Sequence, residues 1–181
     1  MTRESDSVAD KTQAAHGDDD LWDARPLRLE NGSHTQLIHA IGRLAISSAG
    51  AEALLRSAVY ETYLFGDNAS IVTEGESTSW LLEKLLFIIE QEFEGDPDAR
   101  EACSRTKGLF ARRNRFIHSE LGVTPSGTYV TFMSRRHKEL RPSPCTVDEI
   151  LELAEALEEA CWNVHSAVRR ARDSQMPATR G

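Results

Sequence analysis

From residue 34 onward, apolar positions recur every three or four residues over most of the chain, and that spacing predicts four helices. From His34 to about Leu64, positions 37, 38, 41, 44, 45, 51, 54, 55, 58 and 59 are apolar, one long amphipathic helix. Gly42 and Gly50 inside it mark a close helix crossing or a bend. "FGDNASIVTEGESTS" at 65–79 reads as a loop, with Ser77 or Ser79 placed to cap a second helix over about 79–93. Trp80, Leu81, Leu82, Leu85, Leu86, Ile88, Ile89 and Phe93 make that helix apolar over more than half its circumference, so it is expected to be the most buried element. "GDPD" then ends it and starts a third, with Asp96 as N-cap and Pro97 at the first helical position. The third helix is expected to run to about Leu121, where Gly122 supplies a stop. Thr146 and Glu149 have the capping-box spacing and open a last helix, whose Ile150, Leu153, Leu157, Cys161, Val164 and Val168 form one stripe. Arg169, Arg170 and Arg172 suit the negative end of its dipole.

Between the third and fourth helices the pattern changes to the alternation of "TYVTFM", with Pro125, Gly127, Pro142 and Pro144 nearby, which predicts a short β-hairpin with "SRRHK" as a basic tip or arm. The fold expected is therefore all-α: an antiparallel four-helix bundle, or five-helix at most, with a short hairpin between the third and fourth helices. The second and third helices, joined by the shortest connection, are the expected antiparallel neighbours. Residues 1–32 are polar and acidic without a sustained period, a disordered or loosely docked tail in which Trp22 and Leu27 could dock. Residues 33–172 form the helical domain and 173–181 a flexible C-terminal tail.

Composition narrows the classes. The longest wholly apolar run, "LLFII" at 85–89, is too short to span a membrane, and no basic start with an apolar run marks a secretory signal, so a cytoplasmic protein with no membrane partner is expected. Cys103, Cys145 and Cys161 lack CxxC spacing and are odd in number, which points to core fillers rather than a disulfide framework or a zinc site. No HExxH, calcium loop, GxGxxG, GxxxxGK[ST] or GxSxG occurs, so no metal or other cofactor is implied. The net charge of −8 is unevenly spread: residues 100–141 hold ten of the 21 Lys and Arg against three acids, a local +7 that leaves −15 for the remainder. Such segregation permits an anionic partner despite an acidic whole.

The third helix carries an anomaly. At about 100° per residue, Ala102, Thr106, Leu109, Phe110, Phe116 and Ile117 all fall within about 60° of Arg113, which puts an arginine at the centre of the apolar arc. Asn114 and His118 lie at its edge, one turn apart, while Arg112 and Arg115 point away from it. A guanidinium keeps its charge and is costly to bury without partners. Three arrangements would satisfy it: an acid on a neighbouring helix, a polar pocket shared between two subunits, or a cleft in which the trio handles phosphate.

Arg113 to His118, "RNRFIH", resembles the R-x4-H motif, commonly written RNxxxH, of the HEPN superfamily (higher eukaryotes and prokaryotes nucleotide-binding domains). The layout is also similar, since those domains are four- to five-helix bundles with the motif on the third core helix; the sequence match proper covers six residues. Many members are metal-independent endoribonucleases that dimerise so that two motifs face each other. The resemblance implies that Arg113, Asn114 and His118 are catalytic: the RNA 2′-hydroxyl attacks the adjacent phosphate, His118 moves protons, Arg113 steadies the phosphorane and Asn114 orients one of them. Products with a 2′,3′-cyclic phosphate and a 5′-hydroxyl follow. Lys107, Arg112, Arg115, Arg135, Arg136 and Lys138 are the expected RNA-backbone contacts. A homodimer, and an antitoxin or defence-system partner protein, are further implications. Toxins of this superfamily often continue as RNxxxHxY, whereas Ser119 and Glu120 follow His118 here. Other members are non-catalytic RNA- or nucleotide-binding or dimerisation modules, which is the alternative expectation.

Overall fold

The computed structural model describes residues 23–27, 34–63, 75–92, 94–132 and 142–175, and within them the helical periodicity becomes four helices. In chain order the elements are β1 (Arg25–Pro26), α1 (Thr35–Tyr63), α2 (Thr78–Glu92), α3 (Pro97–Ile117), β2 (Glu120–Val123), β3 (Tyr129–Phe132), β4 (Ser143–Cys145) and α4 (Val147–Gln175). The helix starts are chemically marked. Ser77 Oγ accepts the Trp80 N–H at 3.2 Å, Asp96 Oδ1 accepts the Ala99 N–H at 2.8 Å, and Thr146 Oγ1 accepts the Glu149 N–H at 3.1 Å. Each satisfies one of the orphan donors of a first turn. Between α2 and α3, Gly95 at φ +68° donates its N–H to the Ile89 carbonyl at 2.9 Å, the reversal a left-handed glycine permits.

The third helix is shorter than its pattern predicts. It ends at Ile117, with His118 as C-cap, and Gly122 is not a helix stop but a buried residue of β2. The reason is pairing from both sides. Gly122 lies opposite Pro26 on one edge and Val130 on the other, so β2 finds ladder partners that a further helical turn would forgo. The sheet has the order β1-β2-β3-β4, antiparallel throughout, which makes it larger than the expected hairpin and brings residues 25–26, from the segment read as a tail, into it. The tip joining β2 to β3 is Thr124–Thr128, where Gly127 takes φ +88° and donates to the Thr124 carbonyl. "SRRHK" is therefore in the connection from β3 to β4, outside the described residues, as are Trp22 and Phe93. Leu27, Leu121 and Tyr129 rest against the helical core, and Cys145 is part of it.

α2 and α3, joined by the short connection, are neighbours, but the most extensive helix pair is α1 with α4, followed by α3 with α4. Length decides this, because α1 and α4 have 29 residues each against 15 in α2. The predicted stripe of α4 is fully realised: Ile150, Leu153, Leu157, Cys161, Val164 and Val168 are all buried. Each such Ile, Leu or Val contributes roughly 1.5–3 kcal/mol by leaving water. α2 buries Leu81, Leu82, Leu85, Ile88 and Ile89 but leaves Phe87 exposed and Leu86 half-buried, so it is not the most buried element. Polar contacts line one edge of the α1–α4 pair: Ser47 Oγ donates to Glu158 Oε1 at 2.6 Å, and Glu61 Oε1 lies 3.0 Å from His165 Nε2. Among the described residues no helix is long and apolar enough to cross a membrane.

Candidate functional site

Six side chains on the inner arc of α3, namely Ala99, Cys103, Thr106, Leu109, Phe110 and Phe116, are buried, and they leave Arg113 where the helical wheel puts it, mostly sunk among its neighbours. Its side chain is 18% exposed. Nη1 donates to Asn114 Oδ1 at 3.0 Å, and Nη2 stands 3.9 Å from Glu52 Oε1 on α1. The second distance is a charge contact, longer than a hydrogen bond. Glu52 is itself a hub: Oε1 accepts from Thr78 Oγ1 at the start of α2 at 2.9 Å, and Oε2 lies 3.8 Å from Arg56 Nη2. Arg56 Nη2 in turn donates to the Glu76 carbonyl at 3.2 Å. Arg113 thus gathers α1, α2 and α3 around one carboxylate. Among the described residues its buried Nε meets no acceptor.

Of the three sequence-predicted catalytic residues, Arg113 and Asn114 are joined and His118 stands apart. His118 is exposed at the end of α3, and its backbone N–H donates to the Asn114 carbonyl at 3.1 Å. Among the described residues its imidazole has no hydrogen bond or ion pair with Arg113 or Asn114. The two exposed groups, Asn114 and His118, lie one helical turn apart as the wheel predicts.

The predicted backbone contacts divide. Arg112 and Lys107 are exposed, Lys107 Nζ standing 3.9 Å from Glu83 Oε1. Arg115 is half-buried between α3 and the start of α4: Nη2 lies 3.6 Å from Glu149 Oε1, its guanidinium sits 5.2 Å from the Phe116 ring, and its buried Nε meets no acceptor among the described residues. Glu149 therefore serves the α4 cap through its N–H and Arg115 through its carboxylate. Arg135, Arg136 and Lys138 lie outside the described residues.

No family model matches the chain, and no curated protein or solved structure does. The functional reading therefore rests on this chain's own residues. Sequence reasoning left Glu52, Thr78 and Arg56 unnamed. A signal for Glu52 was present, since α1 contains only two acids, Glu52 and Glu61, and both are engaged in ion pairs with partners on other helices. All three cysteines are buried free thiols, and burial pushes Cys103 and Cys161 up to about 12 and Cys145 up to about 11. Nucleophilic thiolate chemistry is thereby disfavoured at these positions. Among the described residues no group of three His, Cys, Asp or Glu gathers to hold a metal ion. A shallow depression of about 190 Å³ between α3 and α4, lined in part by Asp98, Glu101, Arg105 and Asn163, lies at the other end of α3 from the trio.

Proposed function

We propose that the chain is a metal-independent endoribonuclease of HEPN type, an antiparallel helical bundle that acts as a homodimer with a composite active site. The observation that carries the reading is the state of Arg113. It is fixed by Asn114 and held near Glu52, yet among the described residues the guanidinium donates a single hydrogen bond to protein. A guanidinium so placed has N–H groups left for phosphate oxygens. His118, exposed on the following turn, is free to approach an RNA 2′-hydroxyl or a leaving 5′-oxygen.

In the proposed reaction His118, or its copy in the second subunit, removes the proton from the 2′-hydroxyl as that oxygen attacks phosphorus. The phosphorane charge is balanced by Arg113, and the 5′-oxygen leaves with a proton returned by a histidine. Asn114 holds the Arg113 guanidinium in orientation through the 3.0 Å hydrogen bond. A role in toxin–antitoxin or phage-defence systems, in the cytoplasm, with an antitoxin or defence protein as partner, belongs to the same proposal. Incubating the purified chain with mixed RNA in EDTA, from about pH 5 to about pH 9, tests it. Cleavage is expected; intact RNA throughout that range overturns the proposal.

A second reading is favoured by the Glu52 contact. Because an acid on a neighbouring helix already compensates the Arg113 charge, the trio also fits a non-catalytic RNA- or nucleotide-binding or dimerisation module. In that case RNA is bound or ignored but not cut, and Arg113→Ala weakens assembly.

A further inference from the structure

α2 carries an aromatic stripe on its solvent side. Trp80, Lys84, Phe87 and Gln91 fall within about 60° of one another on the helical wheel, opposite the core residues Leu85 and Ile89. Trp80 rests against the core, which fixes its ring, and Phe87 is 56% exposed. The Lys84 ammonium stands 5.4 Å from the Trp80 ring centroid and 6.0 Å from that of Phe87, so one cation is shared between two aromatic rings. The acids on the flank toward α3 are already matched: Glu90 Oε1 lies 2.7 Å from Arg100 Nη2, and Glu83 Oε1 lies 3.9 Å from Lys107 Nζ. Among the described residues the partners of Lys84 are the two rings, which leaves its positive charge to the stripe.

The same two ion pairs set the register of α2 against α3. The helices run antiparallel, and Trp80 comes about level with Ala111. Lys107, Asn114 and His118 share one flank of α3, within about 40° of one another, and the Lys107–Glu83 contact shows that this flank meets α2. From the level of Trp80 it is about 5 Å along the helix axis to Asn114 and about 11 Å to His118. In the other direction Phe87 lies about 10 Å from Trp80, the rise of about three stacked nucleotides. The aromatic stripe and the exposed edge of the candidate site therefore lie along one seam.

We infer that Trp80 and Phe87 are stacking platforms for the unpaired bases of an RNA strand whose backbone passes Lys84 and Lys107 and runs on to Asn114 and His118. Stacking needs one free ring face per base and tolerates any sequence, and a cation beside the ring meets the phosphate that each nucleotide carries. Size selects against a folded protein as the occupant. The two side chains offer at most about 250 Å² each, against roughly 800 Å² per partner in a standard protein interface. Paired RNA fits no better, since a duplex presents groove edges and phosphates while its base faces are already stacked. That the strand is RNA and is cut beside His118 rests on the function proposed above; the stacking of unpaired bases on α2 does not.

The test uses the full chain and a dye-labelled single-stranded 2′-O-methyl RNA, which lacks the attacking hydroxyl and so stays intact, read by fluorescence anisotropy. The same strand annealed to its complement is the paired probe. The single strand should bind at least about 10-fold more tightly than the duplex, and Phe87→Ala should weaken it about 10-fold. Phe87→Leu, which keeps the apolar side chain but cannot stack, should weaken it as well, and Phe87→Trp should restore it. Trp162→Ala removes the other exposed tryptophan, 58% exposed on α4, and should leave binding unchanged. Because Phe87 is exposed, its variants should keep the wild-type helicity by circular dichroism. No binding of the single strand, equal binding of the duplex, or wild-type affinity in Phe87→Ala or Phe87→Leu overturns the inference. So does a Phe87→Ala variant that sediments differently but binds the strand unchanged, which would make the stripe a protein contact. Cleavage of ordinary RNA, read alongside, separates the two ideas. Stacking without cleavage removes the nuclease alone, and cleavage indifferent to Phe87→Ala removes the platform alone.

Discussion

The Arg113 guanidinium of α3 stands 3.9 Å from the Glu52 carboxylate of α1, which also accepts a hydrogen bond from Thr78 of α2. Three helices are thereby tied at one partly buried charge. Each removal should leave a polar group short of a partner, so Glu52→Ala and Arg113→Ala are each expected to destabilise by about 1–2 kcal/mol. A double-mutant cycle by urea unfolding should return a coupling of about 0.5–1 kcal/mol, modest because the contact is long and both groups keep some solvent. Additive effects would show that the two charges do not interact.

The three buried thiols make stability fall in alkali. Their pKa values are raised from the ordinary value of 9.0 to about 12 for Cys103 and Cys161 and about 11 for Cys145, burial being the first cause in each. For Cys145 the nearby Glu149 adds to the rise and Arg115 opposes it. Since the native state holds its thiol protons more tightly than the unfolded chain, this contribution is complete below about pH 9 and is lost as pH climbs toward the folded values. Each thiol should steepen the decline by about 1.4 kcal/mol per pH unit. The fall of the unfolding free energy with pH, taken from urea melts at several pH values above 9, should be shallower by that amount in Cys161→Ala; an unchanged slope would contradict the assignment.

Thr146 starts α4, whose buried stripe runs from Ile150 to Ala171, and its hydroxyl accepts the Glu149 N–H at 3.1 Å. Thr146→Ala should cost about 1 kcal/mol through the lost cap. Glu149→Gln should spare the cap, whose acceptor bond is to the backbone, and weaken only the Arg115 contact, by less than about 1 kcal/mol. Thermal melts that rank the two variants in the reverse order would show that the ion pair, rather than the cap, secures the start of α4.

What could be read from the sequence was what is local. Ser77, Asp96 and Thr146 signal helix starts within three residues of the N–H groups they accept from, and the α4 stripe repeats within one helix. The end of α3 was not legible, because β2 is defined by partners at Pro26 and Val130, and no local pattern announces a pairing partner that distant. Burial of α2 was overestimated for a related reason: apolarity around a helix says nothing of how many sides find neighbours, and Phe87 remains 56% exposed. At the candidate site, Arg113 was conspicuous as a charge in an apolar arc, and Asn114 and His118 lie at its exposed edge as the wheel requires. Glu52 was the missing half, because which acid meets Arg113 depends on how α1 slides against α3, a register that side-chain packing sets.

The central claim concerns chemistry at His118, and the ends left on RNA test it most directly. Wild-type protein in EDTA should leave 2′,3′-cyclic phosphate and 5′-hydroxyl termini. His118→Ala should reduce the cleavage rate by about 100-fold or more while preserving the fold, because His118 is exposed at the end of α3. Equal cleavage by wild type and His118→Ala, or products ending in 3′-hydroxyl and 5′-phosphate, would contradict the account.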